Sequence, residues 1–327
     1  MKRICFLYIT LLCTSLLFVV ACKDDQYSVP AAGSELSNDG IKRTIGPNLV
    51  GSKIEFAYAM AIPAGKGKIT SAQVEASIAG ATGTYLENNS YYTNGSGIDV
   101  GIPIGSPSIT NGAITTVTFN KDTSAATLRY YYVIPETARG QSVSFTFSAN
   151  SSDGGKVTYA LGPYTVSSMD MVLDLNVVDG AACYISIADM AVYAASAAAS
   201  IPDKIDLVYL YRATPASFSH ALVSPVADPI YLPGVTLPAG VTRNTKISKA
   251  WNLRDFNLAR LQYGVYIDDL DFQQLNISEA PNFALNLKAE AGAWVETSDG
   301  KYRAYIYINS VTNSTKSAKI SIKRYTF

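Results

Sequence analysis

The residues of this chain best suited to chemistry gather near its C-terminus, in the run Trp294-Val295-Glu296-Thr297-Ser298-Asp299-Gly300-Lys301-Tyr302 and the stretch Arg303 to Ile308 that follows. Asp-Gly between alternating residues is a strong two-residue hairpin signal, because such a turn needs positive φ at its central positions. With the turn at Asp299-Gly300, Trp294 falls opposite Tyr305, Val295 opposite Ala304 and Glu296 opposite Arg303. Strand alternation then places Ala293, Val295, Ala304, Ile306 and Ile308 on one face, and Trp294, Glu296, Arg303, Tyr305 and Tyr307 on the other. Flat aromatic rings stack on the apolar face of a pyranose while charged groups hydrogen-bond its hydroxyls. Trp294, Tyr305, Tyr307, Arg303 and Glu296 are therefore the candidate glycan-binding set. The competing expectation is that the short helices preceding the hairpin cover this face as a second core layer, and a bulge at Gly292 would turn Trp294 to the other side.

Other residues offer weaker chemistry. Tyr91-Tyr92 lie in a polar loop with Asn88, Asn89 and Asn94, and Tyr130-Tyr131-Tyr132 lie in a strand that must bury at least one ring. Trp251 precedes a helix start expected at Asn252, where it serves as a hydrophobic staple or an aromatic subsite. Asp268, Asp269 and Asp271 lack the ligand order of an EF-hand loop and read as a helix start. His220 is the single histidine and has no partner motif beside it. There is no Gly-x-Ser-x-Gly elbow, His-Glu-x-x-His or Walker loop, so no catalytic residue, metal or cofactor is expected.

Lys+Arg 26 balance Asp+Glu 26 for a net charge of +0, with no long block of one sign. The basic footprint of a nucleic-acid binder is missing. The chain has 22 Tyr and 11 Phe, a composition suited to β-sheet. Strict alternation over Ile54, Phe56, Tyr58, Met60 and Ile62, and again over Val143, Phe145 and Phe147, predicts half-buried strands. Ser152-Asp153-Gly154-Gly155 adds a hairpin signal. The fold expected is mainly β: an immunoglobulin-like β-sandwich over 41–168 followed by an α+β domain over 169–327, built on a largely antiparallel sheet. In that second domain Tyr193 to Ser200 is helix-compatible, short helices fit Asn252 to Leu261 and Asp268 to Leu275, and a three-strand meander spans about 283–297, 301–311 and 316–325.

The N-terminus carries the address. Lys2 and Arg3 precede an apolar run from Ile4 to Val20 that ends in Val19-Val20-Ala21-Cys22. This reads as a lipoprotein signal peptide over 1–21, with Cys22 as the lipidated mature terminus and 22–40 as a flexible polar tether. Loss of Cys5 and Cys13 and lipidation of Cys22 leave Cys183 alone, so no intramolecular disulfide is expected. Lys42-Arg43 at the tether's end is a potential processing site.

These features together carry a resemblance. The lipobox with Lys23-Asp24-Asp25, the Ig-like first domain and the run from Trp294 to Tyr302 resemble Bacteroidetes-type surface lipoproteins of families of unknown function. The resemblance implies an outer-membrane, surface-exposed setting beside glycan-uptake systems, and it transfers no catalytic residue. The expected function is a non-catalytic lipoprotein anchored to the outer membrane, binding glycans as an uptake accessory. The alternative is a structural or adhesive, pilin-like subunit that binds other cell-surface proteins.

Overall fold

The computed structural model describes residues 33–260 and 263–327. The signal peptide, Cys22, Lys23-Asp24-Asp25 and most of the tether lie outside the described residues. Among those described, no helix is long and apolar enough to cross a membrane.

The alternating sequence produces the alternating burial expected of it. In β2 (Lys53–Ala61), Ile54, Phe56, Tyr58 and Met60 are buried while their neighbours face outward. This strand joins β1 (Ser37–Lys42), β9 (Ala125–Val133) and β4 (Tyr85–Leu86) in a four-stranded sheet of order β1-β2-β9-β4. Facing it is a five-stranded sheet, β11-β10-β3-β8-β7, built from β3 (Ile69–Ala76), β7 (Ile109–Asn111), β8 (Ile114–Thr118), β10 (Ser142–Ser151) and β11 (Lys156–Thr165). The layers meet through aromatic rings, Phe56 lying 4.7 Å from Phe145 and 5.4 Å from Phe147. Tyr130 and Tyr132 enter this core, and Tyr131 stacks outside on Tyr85 at 4.9 Å. A separate hairpin pairs β5 (Asn89–Thr93) with β6 (Asp99–Pro103). Ser37 to Gly40, expected in the tether, are instead strand, because Ser37 pairs with Ala61 and Gly40 with Tyr58 while Leu36 is buried in the core.

The second half repeats the two-layer plan. One sheet runs β12-β21-β20-β19-β17, from β12 (Asp170–Val178), β17 (Lys246–Trp251), β19 (Ala291–Glu296), β20 (Tyr302–Thr312) and β21 (Ser317–Thr326). The other runs β14-β13-β15-β16-β18, from β13 (Ala182–Ser186), β14 (Ala191–Ala194), β15 (Leu207–Arg212), β16 (Ser219–Val223) and β18 (Phe283–Leu287). Val295, Ile306, Ile308, Ile320 and Ile322 of the first sheet pack with Ile185, Leu207, Leu210 and Leu222 of the second. The antiparallel sheet expected here is thus doubled, and its helices are brief: α1 (Ala195–Ala198), α2 (Phe256–Ala259) and α3 (Asp269–Gln274). The protein is mainly β, as its alternation predicts.

The stretch 283–297, expected as one meander strand, is two strands in different sheets: β18 pairs with β16, and β19 with β17 and β20. Asn286, within β18, at φ 53° and Glu290, between the two strands, at φ 68° are left-handed positions held by residues other than glycine.

Candidate functional site

The predicted hairpin register holds. Trp294 pairs with Tyr305, Val295 with Ala304 and Glu296 with Arg303. The turn is longer than two residues, since the Thr297 amide bonds the Tyr302 carbonyl at 3.0 Å and the loop spans Ser298 to Lys301. No bulge interrupts Gly292 to Glu296, and glycine at 292 is a matter of space. A Cβ there would stand 2.1 Å from the Tyr305 hydroxyl.

The face carrying the candidate glycan set is nevertheless closed. Helices α2 and α3 lie over it, and Leu258, Ile267 and Phe272 form with Tyr305 and Tyr307 a third apolar cluster. Tyr305 is 0% exposed and Tyr307 3% exposed, so neither ring can stack on a sugar. Trp294 is half-buried, its ring 4.7 Å from Tyr305 and 5.4 Å from Phe272. The Tyr305 hydroxyl donates to the Leu253 carbonyl at 2.7 Å, and burial pushes this phenol's pKa up. Arg303 donates from Nε to Glu296 at 2.7 Å and from Nη1 to the carbonyls of Phe272 at 2.7 Å and Gln273 at 3.2 Å, which binds it to the end of α3. The structure therefore corrects the site assignment. Trp294, Tyr305, Tyr307, Arg303 and Glu296 are brought together as predicted, but as the floor beneath two helices. The physical reason is that Phe272 and Leu258 are themselves large apolar groups needing cover, and the aromatic face supplies it.

The acidic cluster has a structural task as well. Asp268 caps α3 by accepting from Leu270 and Asp271, while the Asp271 carboxylate accepts from the Asp268 amide. Asp269 accepts from the Ser167 hydroxyl and from the Ser168 amide at 3.2 Å, fastening α3 to the junction between the halves. His220 is buried, with Nδ1 accepting from the Tyr209 hydroxyl at 2.6 Å and Nε2 donating to Asn313 at 2.8 Å. Burial lowers its pKa and keeps the ring neutral. Burial likewise raises the Cys183 thiol pKa. Tyr91 lies under the Arg129 guanidinium at 3.9 Å and bonds Glu87, while Tyr92 is exposed. Trp251 is not a staple. It ends β17, is 60% exposed, and the chain turns away at Asn252 before Asp255 caps α2.

What the sequence did not point to is a cleft where the halves meet. Gly46, Pro47, Asn48 and Thr165 of the first half and Tyr266, Asp268, Leu270 and Gln273 of the second enclose about 490 Å³ open to solvent. Its polar groups are spent unevenly. Asn48 donates to the Thr165 carbonyl at 2.7 Å and Gln273 to the Tyr325 hydroxyl at 2.9 Å, and among the described residues the oxygen and second N–H of each carboxamide have no partner. Both carboxylates of Asp268 and Asp269 are engaged by backbone and serine donors. The cleft is composed from segments more than 100 residues apart in sequence, as the Asn48 and Asp269 contacts illustrate. Among the described residues no cluster of three or more His, Cys, Asp or Glu is arranged to hold a metal.

Two β-sandwich-like halves joined through a helical and aromatic seam define the class of protein. The chain belongs to the DUF4466 family. Residues 33–166 match the family described as Domain of unknown function (DUF4466), and residues 167–327 match Domain of unknown function (DUF8576). The crystal structure of a DUF4466 family protein from Parabacteroides merdae is 49% identical, with 90% of this chain and 99% of that one covered at a TM-score of 0.84. A C-terminal fragment of the major pilin GBS80 of Streptococcus agalactiae aligns at 12% identity over 48% of this chain and 66% of that one, with a TM-score of 0.28. A cohesin module of a family 33 glycoside hydrolase from Clostridium perfringens aligns at 13% identity over 38% and 94%, with a TM-score of 0.22. Neither of these two superposes well enough to bear on this chain. No curated protein matches it.

Proposed function

We propose that this protein is a non-catalytic, lipid-anchored lipoprotein of the outer-membrane surface that binds a glycan in the cleft between its two halves. The Ig-like first half serves as spacer, and the setting is a nutrient-uptake system. The observation that carries this reading is the cleft's chemistry. Asn48 and Gln273 each present to it a carboxamide oxygen and a second N–H, and the Tyr266 ring stands beside them. A ligand that fits both donates and accepts hydrogen bonds and offers an apolar flank, which describes a saccharide. The adjoining carboxylates are already committed to amides and serines, so the cleft supports binding rather than acid–base hydrolysis. The signal sequence and Cys22 support the location.

The test is glycan-array binding by the full chain compared with an Asn48→Ala/Gln273→Ala double variant and with Trp294→Ala. Binding lost in the double variant and kept in Trp294→Ala, at unchanged circular dichroism, supports the cleft. Absence of binding by the wild type overturns the reading.

A second reading, a structural or adhesive subunit, is favoured by apolar side chains left in the open on the first half: Ile98 is 61% exposed, Ile102 48% and Ile109 75%. Mass spectrometry of surface material separates the two, since a mature terminus at Thr44, after Lys42-Arg43, belongs to the adhesive route and an intact lipidated Cys22 to the glycan binder.

A further inference from the structure

The third core contains one group that its apolar surroundings do not call for. Lys323 lies on β21 opposite Tyr305, beneath the helices, and its side chain is 0% exposed. Its ammonium nitrogen is 2.6 Å from Asp255 Oδ2, 2.9 Å from Asn257 Oδ1 and 2.9 Å from the Ile267 carbonyl. Asp255 is also 0% exposed, and its carboxylate accepts from the Leu258 amide at 2.9 Å and the Ile267 amide at 2.8 Å. A fully buried ion pair adds little stability over apolar residues of the same volume, because desolvating both charges offsets their attraction. A fully buried amine and carboxylate with a half-buried carboxamide, held within hydrogen-bond reach, are, however, the components of an acyl transfer.

We infer that Lys323 and Asn257 become joined by an isopeptide bond, with Asp255 carrying the protons. Asp255 takes one proton from the Lys323 ammonium, which frees the Nζ lone pair. Nζ attacks Cγ of Asn257, forming the Nζ–Cγ bond and moving the carbonyl electron pair onto Oδ1. Asp255 passes its proton to Nδ2. The carbonyl re-forms as the Cγ–Nδ2 bond breaks, and ammonia departs. Nζ then gives its surplus proton to Asp255, and the ammonia carries that proton away as ammonium. No oxidant, metal or cofactor is consumed.

Three features of the site favour this course. Burial lowers the pKa of Lys323, so the neutral amine forms more readily than in water. Asp255 is close enough to move protons without a bridging water. The backbone amides on Asp255 and the three acceptors around Nζ fix the reacting groups, which removes the entropy of bringing them together. The reaction joins β21 to α2 across 66 residues of chain. It is independent of the glycan reading.

The test is peptide mapping of the full chain. Trypsin cuts after Arg254, Arg260, Lys319 and Arg324, and a modified Lys323 resists it, so the expected product is Asp255–Arg260 linked to Ile320–Arg324, lighter than the sum of the two by one ammonia. Tandem fragmentation must place the link on Asn257. Asn257→Ala abolishes the linked species, and so does Asp255→Asn, which keeps a helix-capping side chain but cannot take the lysine proton; circular dichroism checks that both variants fold. Unlinked peptides from folded wild-type protein overturn the inference, as does a link lighter by one water and placed on Asp255. Persistence of the link in folded Asp255→Asn overturns the role given to Asp255.

Discussion

At the scale of single residues, the buried acid Asp206 shows how burial and pairing compete. Its carboxylate is 0% exposed, accepts from the Ile187 amide at 2.7 Å and pairs with Arg243 at 3.0 Å. Burial outweighs both partners and raises its pKa from 3.8 to about 6. The same guanidinium reaches Asp299 at 3.0 Å, and there the Thr297 hydroxyl, Arg243 and the Lys301 amide overcome desolvation and bring the pKa down to about 2. The two acids therefore act oppositely on stability. The folded state holds a proton on Asp206 that the unfolded state has lost, so the contribution of Asp206 is full below about pH 4 and disappears as pH rises through about 6. Asp299 contributes above its ordinary value, and that contribution is lost as pH falls towards 2. The unfolding free energy of wild type minus that of Asp206→Asn is expected to be larger at pH 4 than at pH 7, by on the order of 2 to 3 kcal/mol. Urea titrations of both proteins at the two pH values measure it, and a difference independent of pH contradicts the assignment. None of this was legible in the sequence, because Asp206, Arg243 and Asp299 are unremarkable apart and meet only when the sheets close.

At the scale of elements, the hairpin and the helices above it mark the boundary of what the sequence discloses. Register was legible because alternation and Asp299-Gly300 both act locally, and Trp294 does face Tyr305. The fate of the face was not, since exposure depends on whether α2 and α3 fold back over it. The split of 283–297 into β18 and β19 was hidden for a related reason, as Asn286 and Glu290 adopt left-handed φ that glycine would have advertised. The cover itself is testable. Phe272 is 0% exposed and packs edge-on against Trp294 and 6.1 Å from Tyr325. Phe272→Ala is expected to cost about 3 to 5 kcal/mol, the usual penalty for truncating a buried aromatic ring. Denaturant titration gives the loss, and Trp294 fluorescence moves to longer wavelength as water reaches the ring. A loss under about 1 kcal/mol means that the helices cover the face without packing on it.

At the scale of the whole molecule, the aromatic layer read as a ligand platform is part of what joins the halves. Leu49 of the first half enters the cluster with Met169, Leu258, Ile267 and Phe272. Gly46, at φ 84°, brings its backbone against the Tyr266 ring so closely that a Cβ would lie 2.2 Å from it. Polar ties reinforce the joint. Asp170 bridges Arg139 of the first half, at 2.8 Å, and Arg324 of the second, and Asp269 holds Ser167 and Ser168. Tandem domains with small polar interfaces move and unfold separately, whereas a joint with its own apolar core couples them. Wild-type protein is accordingly expected to show one calorimetric transition. Replacing Asp269 and Asp170 together by Ala removes charge-assisted bonds worth about 1.5 to 3 kcal/mol apiece and leaves Arg139 and Arg324 without their shared partner. The expected result is two resolved transitions, the second half melting first because α3 has lost its anchor. A single transition at a lower temperature would instead assign the coupling to Leu49 and the apolar seam, and adding Leu49→Ala to the double variant would then split it. The cleft depends on this outcome, since Asn48 and Gln273 stand on opposite halves and face one ligand only while the joint is fixed.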